Sequence, residues 1–79
     1  MTNITHTDRQ MVIRPYGKGE LAMLYAPSLT QQSAVNRLTE WIRTNPALTE
    51  SLLRSGYRPH QRLFTSYQVR LIVEALGEP

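Results

Sequence analysis

The sequence predicts a mainly α fold: a compact four-helix domain whose first two helices are arranged like a helix-turn-helix, with a short strand or small β-hairpin beside them. Three observations predict it. Apolar residues recur at helical spacing in four separate stretches. Those stretches are bounded by capping and breaking residues, notably Pro27, Asn45-Pro46, Gly56 and Gly77. The one β-rich run outside them, Met11-Val12-Ile13, stops after three residues at Arg14-Pro15.

Residues 1–10 are polar apart from Met1 and Ile4 and read as a flexible N-terminal tail, leaving 11–79 as a single domain. Met11–Arg14 reads as a strand at a sheet edge, since Pro15 cannot donate to a ladder. Gly17-Lys18-Gly19 reads as a turn. The first helix spans Glu20 to Ala26. Leu21, Leu24 and Tyr25 make its stripe, Glu20 suits its positive end, and Pro27 stops it. The second runs from about Gln31 to Thr44, with Ala34, Val35, Leu38, Trp41 and Ile42 on one face. Its start is ambiguous between a Thr30 cap and a Ser28-x-x-Gln31 capping box. Asn45 caps a third helix with Pro46 in its first turn, Leu48, Leu52 and Leu53 buried, and Gly56 just past its end. Tyr57–Phe64, interrupted by Pro59, reads as an extended segment or hairpin arm. The last helix has the clearest signals. Thr65-x-x-Gln68 is a capping box, Phe64 and Val69 staple it, and Val69, Ile72, Val73 and Leu76 form its apolar stripe. Arg70 and Glu74 have the spacing of an ion pair.

At 79 residues the chain is one domain with a thin core. Nineteen Leu, Ile, Val and Phe residues keep it clear of disordered compositions. The absence of cysteine excludes disulfides, thiolate metal sites and Cys nucleophiles. No apolar run reaches membrane-spanning length, and the polar start lacks the core of a signal peptide. A cytoplasmic protein with no membrane association is expected. Catalysis finds little support. His6 and Asp8 fall in the tail, His60 sits beside a proline, and Glu20, Glu40, Glu50 and Glu74 fit helix surfaces. No cluster of metal ligands and no cofactor motif occurs. Gly17-Lys18-Gly19 lacks the phosphate-loop pattern; its backbone N–H groups can hold at most one phosphate of a larger ligand, and a plain turn is the alternative.

Two features point to nucleic acid. A short helix, a link and a second helix with a polar outer face suit a helix-turn-helix. The second helix carries Gln32, Ser33, Asn36, Glu40 and Arg43 opposite its apolar stripe, with Arg37 at the flank. Gln and Asn can read adenine, and Arg can read guanine or hold phosphate. Any amphipathic surface helix shows a similar face, and Glu40 in its middle repels phosphate. The second feature is charge. Of the net +3, more than all falls between Glu50 and Glu74, where Arg54, Arg58, His60, Arg62 and Arg70 stand without an acid. An extended 58–62 would project Arg58, His60 and Arg62 to one side as a basic wing, with Lys18 as a further clamp. The alternative is an Arg-rich surface that meets an acidic protein partner. The leading expectation is therefore binding to double-stranded DNA, and the rival is a non-catalytic adaptor. Either suits a homodimer, since one module of this size has a small footprint.

The strings Tyr16-Gly17-Lys18-Gly19-Glu20-Leu21-Ala22-x-Leu24-Tyr25-x-Pro27, Gly56-Tyr57-Arg58 and Phe64-Thr65-x-x-Gln68-Val69-Arg70-Leu71-Ile72-Val73-Glu74-x-Leu76-Gly77-Glu78-Pro79 resemble the bacterial domain-of-unknown-function family 4248 of gut anaerobes. The resemblance covers about residues 11–79. It implies a small intracellular accessory protein and supplies no catalytic or binding residues. Glu20-Leu21-Ala22 followed by a second helix is also similar to excisionase-type and MerR-type winged helices. Those have a tighter link than Ala26-Pro27-Ser28-Leu29-Thr30.

Overall fold

The computed structural model describes residues 11–79. The expected tail, 1–10, lies outside the described residues. Six elements follow in order: β1 (Tyr16–Gly17), α1 (Lys18–Tyr25), α2 (Gln31–Arg43), α3 (Pro46–Arg54), β2 (Leu63–Phe64) and α4 (Ser66–Leu76). The fold is mainly helical with one two-stranded antiparallel sheet, in which Tyr16 faces Phe64 and Gly17 faces Leu63.

Local chemistry sets most of the boundaries. Thr30, not Ser28, caps α2, its hydroxyl accepting from the Ser33 N–H. The Asn45 carboxamide accepts from the Leu48 N–H, and Pro46 opens α3. Both halves of the Thr65/Gln68 capping box form. Gly56 and Gly77 follow α3 and α4 with φ of 94° and 89°, the left-handed region that favours glycine.

The first strand departs from expectation. Residues 11–14 form no strand; pairing begins beyond Pro15, at Tyr16, which is buried opposite Phe64. Gly17-Lys18-Gly19 is not a free turn either. Gly17 ends β1 and precedes α1, which starts at Lys18 because the Glu20 carboxylate reaches back to accept from the Gly17 N–H (3.2 Å). Arg14 donates to the same carboxylate at 2.8 Å and lies over the Tyr16 ring. The Arg14 hydrogen bond, and then the Gly17 N–H, hold the exposed Glu20 carboxyl below its usual range.

The core joins all six elements: Tyr16, Leu21, Ala22, Ala34, Leu38, Ile42, Leu48, Leu52, Phe64, Val69 and Ile72 are buried. Two residues expected in the apolar stripes are exposed instead: Leu24 and Leu53. On α1, Ala22 takes the inner face beside Leu21, with Ala26 buried just past the helix end, while Leu24 stands outward. The Trp41 ring packs edge-on against Tyr25 at 6.0 Å. No ion pair joins Arg70 and Glu74; those among the described residues are Arg14–Glu20, Arg43–Glu40 and Arg54–Glu50.

Candidate nucleic-acid interface

Residues 58–62 are not an extended wing. The Gln61 N–H donates to the Arg58 carbonyl (3.1 Å), and the Gln61 side chain accepts from the Arg58 N–H (2.9 Å), which folds the segment into a turn. An alternating projection of Arg58, His60 and Arg62 to one side is thereby lost; only 63–64 pair as strand.

The turn is tied down from beneath. The Gln61 amide donates to the Leu63 carbonyl (2.6 Å) and to the Gln68 side-chain oxygen (2.8 Å). Gln68 is 2% exposed. Its oxygen also accepts from the Thr65 N–H (3.1 Å), and its NH₂ donates to the Ser55 hydroxyl (3.0 Å). One buried amide thus joins the end of α3, the turn and the start of α4. A second anchor comes from α1. The half-buried Lys18 ammonium donates to the Pro59 carbonyl (2.7 Å) and stands 5.4 Å from the centre of the Tyr57 ring. Burial pushes its pKa down. The Lys18 N–H donates to the Arg62 carbonyl (2.8 Å), extending the sheet.

This anchoring lays the turn alongside α2. Lys18, Gln31, Gln32, Val35, His60 and Arg62 border one concavity of about 760 Å³. Farther along α2, Ile42 and Arg43 border a slot with Tyr57 and Pro59. At 100° per residue, Gln32, Asn36 and Arg43 share a stripe of α2. The turn therefore follows that stripe from one end of the helix to the other. Gln32 donates to the Asn36 carboxamide oxygen (3.1 Å), and both are exposed. The same stepping turns exposed Ser33 and Arg37 toward the far flank, away from the turn.

The site residues expected from sequence are thus sorted. Gln32, His60 and Arg62 border one concavity, and Arg43 the slot beyond it; Asn36 shares the α2 stripe of Gln32 and Arg43, Arg58 stands in the turn but lines neither space, Lys18 joins the first concavity with its ammonium engaged, and Ser33 and Arg37 stand apart. Arg43 forms an ion pair with Glu40, whose carboxylate would otherwise stand unbalanced on this face. That hydrogen bond, then the charge itself, raises the Arg43 pKa. The unpaired cations of the face are Arg58 and Arg62, neither within ion-pair distance of a described carboxylate.

Sequence reasoning missed Gln31, Gln61 and Gln68. The Gln31 amide lies 2.0 Å from where a Cβ on Gly19 would stand, so the bare glycine leaves the space between the first turns of α1 and α2 that the Gln31 side chain fills. A glycine followed twelve residues later by a helix-opening glutamine gives no local signal of that contact. Gln68 was legible as a cap, but its second role depends on partners far along the chain.

Among the described residues no group of three or more His, Cys, Asp or Glu is placed to hold a metal. No helix is long and apolar enough to cross a membrane. Comparison with curated proteins and with solved structures gives no match. One family model does match, over residues 12–79 and so over most of the chain: the protein belongs to the family described as Domain of unknown function (DUF4248).

Proposed function

We propose that this chain is a DNA-binding accessory or regulatory protein of the cytoplasm, of helix-turn-helix or winged-helix type. One observation carries the reading: the exposed amides of Gln32 and Asn36 share a stripe of α2, and Gln32 borders one concavity with His60 and Arg62 of the cationic turn. Carboxamides supply paired donors and acceptors for base edges, and guanidinium groups fork onto phosphates. In this reading α2 lies against the major groove, and the turn tracks the neighbouring backbone. The pairing of Glu40 with Arg43 removes the strongest local repulsion of phosphate. An eight-residue α1 joined by 26–30 to α2 supports the helix-turn-helix arrangement.

Titration of labelled duplex DNA at low and at near-physiological salt tests the reading. Micromolar or tighter binding is expected at low salt. Its log K should fall with log salt by roughly 0.9 for each phosphate neutralised. Arg62→Ala is expected to weaken all duplexes alike and flatten that slope; Asn36→Ala is expected to weaken a preferred sequence more than a random one. No retention of duplex at low salt overturns the proposal.

A further inference from the structure

The slot at the far end of the turn is not explained by nucleic acid. Ile42, Leu53, Tyr57 and Pro59 make its walls, with Arg43 at the rim, around a space of about 310 Å³. Its surface is almost wholly carbon, and Leu53 stands 56% exposed beside it. Sugar and phosphate would lose water there and gain no hydrogen bond, which is costly. A side chain of leucine or phenylalanine would gain the area it removes from water.

The slot is also preformed. The Tyr57 ring stacks on buried Phe64 with centroids 5.8 Å apart. The Lys18 ammonium fixes Pro59 through its carbonyl. The Thr49 hydroxyl, also at the lining, already donates to the Ile42 carbonyl (2.6 Å). Little would have to be ordered on binding.

Charge around the mouth selects the occupant. Arg43 borders it, and Arg58 stands in the chain between the lining residues Tyr57 and Pro59. The Glu40 carboxylate is engaged by Arg43, and that of Glu50, next to the lining Thr49, by Arg54. Arg58 has no carboxylate partner among the described residues. A second copy of this chain would bring the same cations against these, and like charges in apposition oppose association. We infer that the slot docks a segment of a partner protein carrying one large apolar side chain flanked by Asp or Glu. This surface stands on the slot and its rim, independently of whether the neighbouring face takes DNA.

The test uses the full chain, ¹⁵N-labelled, and three synthetic peptides: a central Phe flanked by glutamates, the same peptide with lysines, and the glutamate peptide with Ser in place of Phe. The glutamate–Phe peptide is expected to shift amides at 39–43, 49–53 and 57–59 and to bind about ten-fold more tightly than its lysine twin. The Ser peptide should not shift them. Leu53→Asp, at an exposed position whose folding the same spectrum checks, is expected to abolish binding. Arg58→Glu is expected to reverse the preference between the glutamate and lysine peptides. Equal affinity for those two peptides, shifts confined to other surfaces, or no binding overturns the inference. So does concentration-dependent self-association that shifts these same amides and is lost in Leu53→Asp, which would make a second copy the occupant.

Discussion

Gln68 is the buried polar side chain around which the cationic turn is organised. Its oxygen takes two donors, the Thr65 N–H and the Gln61 amide, and its NH₂ finds the Ser55 hydroxyl. A buried amide so nearly satisfied costs little, but removing it leaves the Thr65 and Gln61 donors without that acceptor. Gln68→Leu is therefore expected to destabilise the domain by about 1–3 kcal/mol, although leucine is the more apolar residue. Urea unfolding measures this, and hydrogen exchange at 58–63 should quicken beyond the global change. An unaltered urea midpoint would show that the network contributes nothing. The sequence displays Gln68 only as the third position after a capping threonine. A helix cap is a contact between neighbours in the chain and can be read locally. The bond to Ser55 crosses thirteen residues and exists only once α3 and α4 have packed.

At the scale of elements, the helices divide from the strands in the same way. Each of α2, α3 and α4 starts at a cap that its own sequence specifies: Thr30, Asn45 and Thr65. The two strands are two residues each, and their register depends on Tyr16 meeting Phe64 across forty-eight positions. A β-branched run at Met11–Ile13 carries higher strand propensity, yet pairing goes to the residue whose side chain the core accepts. The turn at 58–62 was legible as non-helical but not as folded, because Gln61 turns it by bonding back to Arg58. The end of α4 shows another long-range tie, where the Tyr25 hydroxyl donates to the Gly77 carbonyl. Burial, and then the negative charge of Glu78, push the Tyr25 hydroxyl from 10.0 up to about 12. The unfolded chain releases that proton near pH 10.0, whereas the folded one keeps it to about 12. Between these values the native state binds more protons, so a stability contribution that is full below pH 10 is lost as pH rises through 12. Tyr25→Phe is expected to be less stable at neutral pH by about 1 kcal/mol through the lost hydrogen bond. It should also lose less further stability across that alkaline window. Tyr57, raised by burial in the same direction, leaves some slope in the variant. Identical alkaline slopes for the two proteins would exclude the Tyr25 contribution.

For the molecule as a whole, a 79-residue chain has little stability to spare. Leu38 is 1% exposed at the middle of α2, and Leu38→Ala is expected to cost about 2–5 kcal/mol, a large part of what such a domain has. Leu53→Ala, the same chemical change at a 56% exposed site, should stay within about 0.5 kcal/mol. Thermal unfolding of the pair by circular dichroism separates the two, and equal losses would contradict the burial assigned here. Periodicity alone placed both leucines in the core. What it could not weigh was supply: Leu48 and Leu52 already fill the α3 side, and the third leucine of the stripe is left at the surface. The mainly helical class, the four helices and the amide-bearing stripe of α2 were all legible in the sequence. The course of the turn along α2 was not, since it depends on the bonds that Lys18 and Gln68 make to it.

The link from Gln68 through Gln61 and Ser55 is made of uncharged amides and a hydroxyl. Such joints neither titrate near neutrality nor feel the ionic atmosphere, so acidifying the buffer or adding electrolyte leaves this mooring of the guanidinium groups in place. An electrolyte series on this protein consequently reaches the turn's own anchors only through the Lys18 ammonium on the Pro59 carbonyl, and otherwise reports the encounter with a charged ligand.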